Sequence, residues 1–177
     1  MILYRNGFGL YDQEDLAVKF GVKIDTKEAA AFSVAMPIMT KGNFDEGIQT
    51  VESERQINKF FIDNAINLKA KSYKLSSIPS LINFLNEHIN ANHDIMIEYH
   101  SNEIHAEDKY HGNYVHDGLI EGLNLSEEIA TVIDPEPEHR QHLYIHLKTI
   151  EKSISKTYGR ETGFIVVEKV PSSHQVS

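Results

Sequence analysis

The sequence predicts an α+β fold forming one domain over residues 1–171, with a polar tail at 172–177. Three observations carry this expectation. In the first half of the chain, apolar residues recur at helical spacing. From Asp94 onward the apolar period changes to two, which is the spacing of strands. Helices therefore come first and strands able to pair antiparallel come second, the order of an α+β domain. At 177 residues, 41% hydrophobic and 24% charged, the chain is long and apolar enough for a sizeable core.

Met1 to Tyr4, followed by Asn6-Gly7, reads as the last turn of a helix and its cap. A helix is expected near 12–20, with Asp12 as N-cap, Glu14 and Asp15 in its first turn, and Leu16, Ala17 and Phe20 on its apolar side. Residues 22–52, interrupted by Pro37, Gly42 and Gly47, are expected to be loop with short turns. Ser53 can cap a helix to about Asn67, its core side formed by Ile57, Phe60, Phe61 and Ala65. Leu68–Leu75 alternates as a strand does. Ser77 opens a helix with Pro79 early and Ile82, Phe84, Leu85 and Ile89 inward. Strands follow from Asp94, over 115–123, over 129–134 and around Leu143, Ile145 and Leu147. A helix over Thr149–Tyr158 and a strand over Phe164–Val170 close the pattern.

Charge and composition exclude several functions. With 26 acidic residues against 17 basic ones, the net charge is −9, unsuited to a phosphate backbone, so no nucleic-acid partner is expected. No apolar run approaches the roughly 20 residues that span a bilayer, and the start lacks a signal peptide's basic and apolar regions. A cytoplasmic protein with no membrane partner is the expectation. There is no cysteine, hence no disulfide, no thiolate metal site and no sulfur nucleophile within these residues. No Gly-x-Ser-x-Gly elbow offers a serine instead.

A hairpin centred on Leu125 pairs Ile120 with Ala130, Gly118 with Val132 and His116 with Asp134. Directly opposed residues place their Cβ atoms about 4.5–5.5 Å apart, within reach of an imidazole–carboxylate hydrogen bond. Such a bond orients the ring and raises its basicity. The shared face would carry His116, Gly118, Ile120 and Gly122 against Ala130, Val132 and Asp134. Two readings of the pair stand side by side: a catalytic base with its orienting carboxylate, or a structural hydrogen bond where the strand leaves through Asp134-Pro135.

The stretch His116-Asp-Gly-Leu-Ile-Glu-Gly122, with Ala130-Thr-Val-Ile-Asp134-Pro135, resembles the second half of papain-like bacterial cysteine peptidases. The resemblance points to the bacteriocin-leader peptidase family and to related phytochelatin-synthase-like and aminoglycoside-tailoring acyltransferases. Met1–Gly7, Tyr11–Ala17 and Phe20-Gly21 are similar to the segment that follows the nucleophile helix there. The resemblance implies a papain-like core with N-terminal helices and a C-terminal antiparallel sheet. It also implies His116 as general base and Asp134 as its orienting partner. In that family the cysteine and the oxyanion-hole glutamine precede the part matched here, and an apolar or aromatic residue usually stands where this chain has Asp117.

The expected function is therefore a non-catalytic cysteine-peptidase-like domain that binds a peptide or protein partner. It would use apolar surface around Gly118, Ile120 and Ala130 as a partner groove or as the interface of a homo-oligomer. One alternative is a cysteine peptidase or acyltransferase whose cysteine lies upstream of Met1. The other is a metal-binding or acidic interaction protein. His100, His105, His111 and His116 lie in a stretch with 11 acidic residues and one lysine between Glu98 and Glu138. None of their spacings matches a tight ligand motif, so a solvated acidic loop, no metal and no cofactor are expected. His139, His142 and His146 have ligand-like helical spacing, but the surrounding alternation favours a strand with His142, Tyr144 and His146 on an exposed face. Lys148, Lys152 and Lys156 form a solvated helix stripe.

Overall fold

The computed structural model describes residues 1–9, 11–20, 50–104, 115–134, 142–155 and 163–171. Two compact units divide the chain: Met1–Leu68 with Pro171–Ser177, and Lys69–Val170. The loop expected over 22–52 and the tail at 172–177 fall almost wholly outside the described residues.

The first unit contains α1 (Ile2–Arg5), α2 (Gln13–Phe20) and α3 (Thr50–Asp63). Asn6 caps α1 with its side-chain amide on the Ile2 carbonyl at 3.0 Å. Gly7 follows at φ 84°, a conformation that glycine adopts without strain. Asp12 caps α2, its Oδ1 accepting from the Asp15 amide at 3.2 Å. Phe60 on α3 gathers this unit: the Tyr11 and Phe20 rings meet it edge-on at 5.4 and 5.6 Å. The Lys19 ammonium lies 5.5 Å above it. Helix α3 starts three residues earlier than Ser53 and ends at Asp63. Ser53 is thus a buried residue of its second turn rather than its cap. Ala65 leaves the helix at φ 51° and is exposed, so it does not join Ile57, Phe60 and Phe61 on the core side.

The second unit is built on a six-stranded sheet. Its strands are β1 (Leu68–Lys74), β2 (Asp94–His100), β3 (Val115–Asn124), β4 (Ile129–Ile133), β5 (His142–His146) and β6 (Gly163–Lys169). They lie in the order β1-β6-β2-β3-β4-β5, and the pairs β2–β6, β2–β3, β3–β4 and β4–β5 are antiparallel. Helices α4 (Leu81–Asn90), α5 (Ser101–Ile104) and α6 (Leu147–Ser155) complete it. The short α5 carries no sequence signal and is an addition to the expected elements.

Helix α4 begins after Ser80, whose Oγ accepts from the Asn83 amide at 3.4 Å. The expected start at Ser77 is instead a single 3₁₀ turn over Leu75–Ser77, and Pro79 stands just before the cap. Leu81 and Leu85 from α4 and Leu147, Ile150 and Ile154 from α6 cover one face of the sheet. They pack on Ile95, Ile97, Tyr99, Ile120, Val132 and Phe164. Central strand β2 is buried on both faces except at Met96, which explains why its apolar alternation is imperfect.

The C-terminal end of α4 carries a ring cluster. Phe84 meets the rings of Tyr73, His88 and Phe164 at 5.1, 4.6 and 5.4 Å. The His88 and His93 Nδ1 atoms are 3.0 Å apart, so one ring donates to the other only while at least one is neutral. Burial, then the neighbouring His93, pushes the His88 pKa below its ordinary 6.5. A histidine with a depressed folded pKa binds fewer protons in the native than in the unfolded state, so its contribution is lost as the pH falls. Urea melts should show stability falling as the pH drops below about 6.5, and His88→Gln should flatten that slope.

Candidate functional site

The site begins with strand register. In the β3–β4 hairpin, Asn124 Oδ1 accepts from the amides of Ser126 and Glu127 at 3.1 and 3.3 Å, and Glu128 takes φ 54°. The turn therefore spans Leu125–Glu128 rather than centring on Leu125. Next to it, Leu123 pairs with Ala130 and Gly122 with Thr131. A bulge between Ile120 and Gly122 then shifts the register, and Ile120 pairs with Val132 and Leu119 with Ile133.

The expected direct pairs, Ile120 with Ala130 and Gly118 with Val132, are thus displaced by two residues. The displacement is even, so face assignment survives above the bulge. Continued, this register sets Gly118 opposite Asp134 and makes His116 its diagonal neighbour on the same face. Below the bulge the shift is odd. Gly122 accordingly leaves the core face, and Leu123 packs against the core in its place.

His116 and Asp134 do meet. The imidazole Nε2 lies 2.7 Å from Asp134 Oδ1. The carboxylate is 0% exposed and the imidazole 15%. A third group joins them from β2: the Tyr99 hydroxyl donates to Asp134 Oδ2 at 3.0 Å. Tyr99 pairs directly with His116 across β2 and β3, and the two rings meet edge-on at 5.5 Å. Both carboxylate oxygens therefore receive a donor, as a buried charge requires. With Nε2 facing the carboxylate, the tautomer that donates from Nε2 is favoured, which makes Nδ1 the ring's acceptor nitrogen.

The sequence reading gives Tyr99 no role in the site. The available signal was chemical: a tyrosine among aliphatic residues on an inward face must place its hydroxyl somewhere. Gly118 lies between the partners. A Cβ there would come within 2.8 Å of Val132 Cγ1 and 3.2 Å of both the Ile133 carbonyl oxygen and Tyr99 Cε1.

Asp117 points to the other face, opposite Glu98 of β2. Surrounding protein raises its carboxyl pKa, and the adjacent His116 pulls it back. Its side chain is nevertheless exposed, and solvent there argues against a large effect. The apolar surface expected to lie open around Gly118, Ile120 and Ala130 is instead buried, covered by α4 and α6.

Among the described residues, the histidines of the acidic stretch are not brought together. His100 is buried at the end of β2, His116 is engaged with Asp134, and His105, His111 and His139 lie outside the described residues. Among the described residues no three His, Asp or Glu side chains are grouped to hold a metal. His142, Tyr144 and His146 share the exposed face of β5, as strand spacing predicts, and His142 Nδ1 lies 3.3 Å from Glu121 Oε2. Lys148 and Lys152 are exposed on α6, and Lys152 pairs with Glu103 at 2.6 Å; Lys156 lies outside the described residues. No described helix is long and apolar enough to cross a membrane.

No family model matches the chain, and no curated protein does. A solved structure from Bacillus anthracis, provisionally described as a C39-like peptidase, is similar in fold. It has a TM-score of 0.56 and 13% identity over 95% of this chain and 84% of that one. The two structures share a mixed architecture of helices and an antiparallel sheet.

Gly118→Ala should cost about 1–3 kcal/mol in urea denaturation, because its methyl group must displace Val132 or the Tyr99 ring. Gly122→Ala should stay within about 0.5 kcal/mol, since its methyl would meet only Thr131 Oγ1 at 3.9 Å.

Proposed function

We propose that His116 and Asp134 are the base and orienting carboxylate of a papain-type cysteine-peptidase-like centre. On this reading the chain binds a peptide or protein partner without turning it over. The observation that carries the first half is the 2.7 Å bond from the largely buried His116 to a fully buried Asp134. The fold similarity to a C39-like peptidase supports it. The second half is supported by composition: none of the 177 residues is a cysteine, so this polypeptide has no thiolate to form an acyl-enzyme. A partner would approach His116 at the end of the sheet, because the sheet face itself is covered.

A second reading is favoured by the completeness of the pair. A cysteine supplied upstream of Met1 could give its thiol proton to His116 Nδ1 while Asp134 holds Nε2. The chain would then be part of a peptidase or acyltransferase.

Incubated with peptide and ester substrates, the purified chain should show no turnover that His116→Ala abolishes; such a loss would overturn the non-catalytic reading. Titrating a pool of unstructured peptides into labelled protein should move the amide resonances of Val115–Gly118. No perturbation there at millimolar peptide would remove the binding proposal. In-frame upstream DNA encoding a cysteine on a helical segment would select the second reading, and an immediate in-frame stop would eliminate it.

A further inference from the structure

We infer that Tyr99 is a positioning residue for His116, acting through Asp134, and that Gly118 is the opening in β3 that lets it do so. The inference deepens the proposed function and rests on it for its catalytic meaning.

The geometry requires an unusual reach. Tyr99 stands on β2 and Asp134 just beyond β4, with β3 between them. Neighbouring strands lie about 4.8 Å apart, so the hydroxyl must cross roughly two strand spacings to reach the carboxylate. It crosses at Gly118, where a methyl group would lie 3.2 Å from the Tyr99 ring. The ring is fully buried, which limits its other orientations.

A carboxylate can rotate about its bond to Cβ and exchange its two oxygens. The Tyr99 donor on Oδ2 and the His116 donor on Oδ1 oppose that rotation together. Each fixes the plane in which the other must bond. Without the hydroxyl, Oδ2 of a carboxylate with no solvent exposure loses one donor, and the restraint on its rotation weakens. Its hold on Nε2 then loosens, and with it the orientation of the opposite nitrogen.

The test is Tyr99→Phe, which keeps the ring and removes only the donor. In histidine-labelled protein, the Nε2 proton of His116 should exchange with water roughly tenfold faster than in the parent, the scale of one lost hydrogen bond. A residue that merely fills the core would not move this rate. Tyr99→para-aminophenylalanine, which restores a donor, should bring the slow exchange back. If Phe loosens the fold, as a thermal melt would show, Tyr99→para-fluorophenylalanine fills the lost volume without a donor and gives the same reading. Unchanged exchange in a folded donor-free variant overturns the inference. Asp134→Ala separates the two levels. Fast exchange there with unchanged exchange in Tyr99→Phe removes only Tyr99. Slow exchange in Asp134→Ala removes the pair itself, and Tyr99 with it.

Discussion

A carboxylate with no solvent exposure must be given donors by the fold, and here two different strands supply them. His116 comes from β3 and Tyr99 from β2, while Asp134 itself hangs from the end of β4. The group therefore constrains three strands at once. A slip of one residue between any two of them would turn a donor to the opposite face, away from the buried carboxylate. The apolar core below does not impose this constraint so sharply, because Ile, Val and Leu tolerate small displacements that a 2.7 Å hydrogen bond does not.

The bulge next to Glu121 is how the hairpin meets that demand. Its turn sets an odd register beside Asn124, and carried to the strand ends this would put His116 and Asp134 on opposite faces. One extra residue restores the parity. The sequence shows the alternation of Gly118, Ile120, Val132 and Asp134, and so the common face is legible. The bulge is not: Glu121 looks like any outward residue of an alternating strand. The direct pairing expected from a symmetric turn is replaced by a diagonal one, and only the even displacement keeps the pair together. Tyr99 was illegible for a different reason. Its partner lies 35 residues away and two strands over, beyond any local pattern. Elements with strong periodicity or a capping side chain, such as α2 behind Asp12, were legible. The start of α4 was misread because Ser77 and Ser80 are chemically equal candidates, and only the observed Ser80–Asn83 bond separates them.

Burial reverses one inference about surface. Small residues at Gly118 and Ala130 suggested a face awaiting a partner. Leu81 and Leu85 of α4 and Leu147, Ile150 and Ile154 of α6 already occupy that face. The helical spacing around Leu85 was legible, whereas Leu147 reads as the end of a strand and instead opens α6; the docking of the two helices was not legible, since either face of a sheet can accept a helix. The small residues serve contacts within the domain. Gly118 in particular admits the Tyr99 ring.

Folding alone gives little reason for this polar cluster. An apolar side chain of similar volume at position 134 would satisfy the same space without a buried charge, a replacement that commonly leaves proteins no less stable. The carboxylate instead obliges β3 to carry a glycine at a crowded position and β2 to carry a tyrosine with a long reach. Such an arrangement is economical if the imidazole must be held in one orientation with one nitrogen committed, and it is superfluous otherwise. That asymmetry favours reading His116 as a group with chemical work over reading it as a structural hydrogen bond.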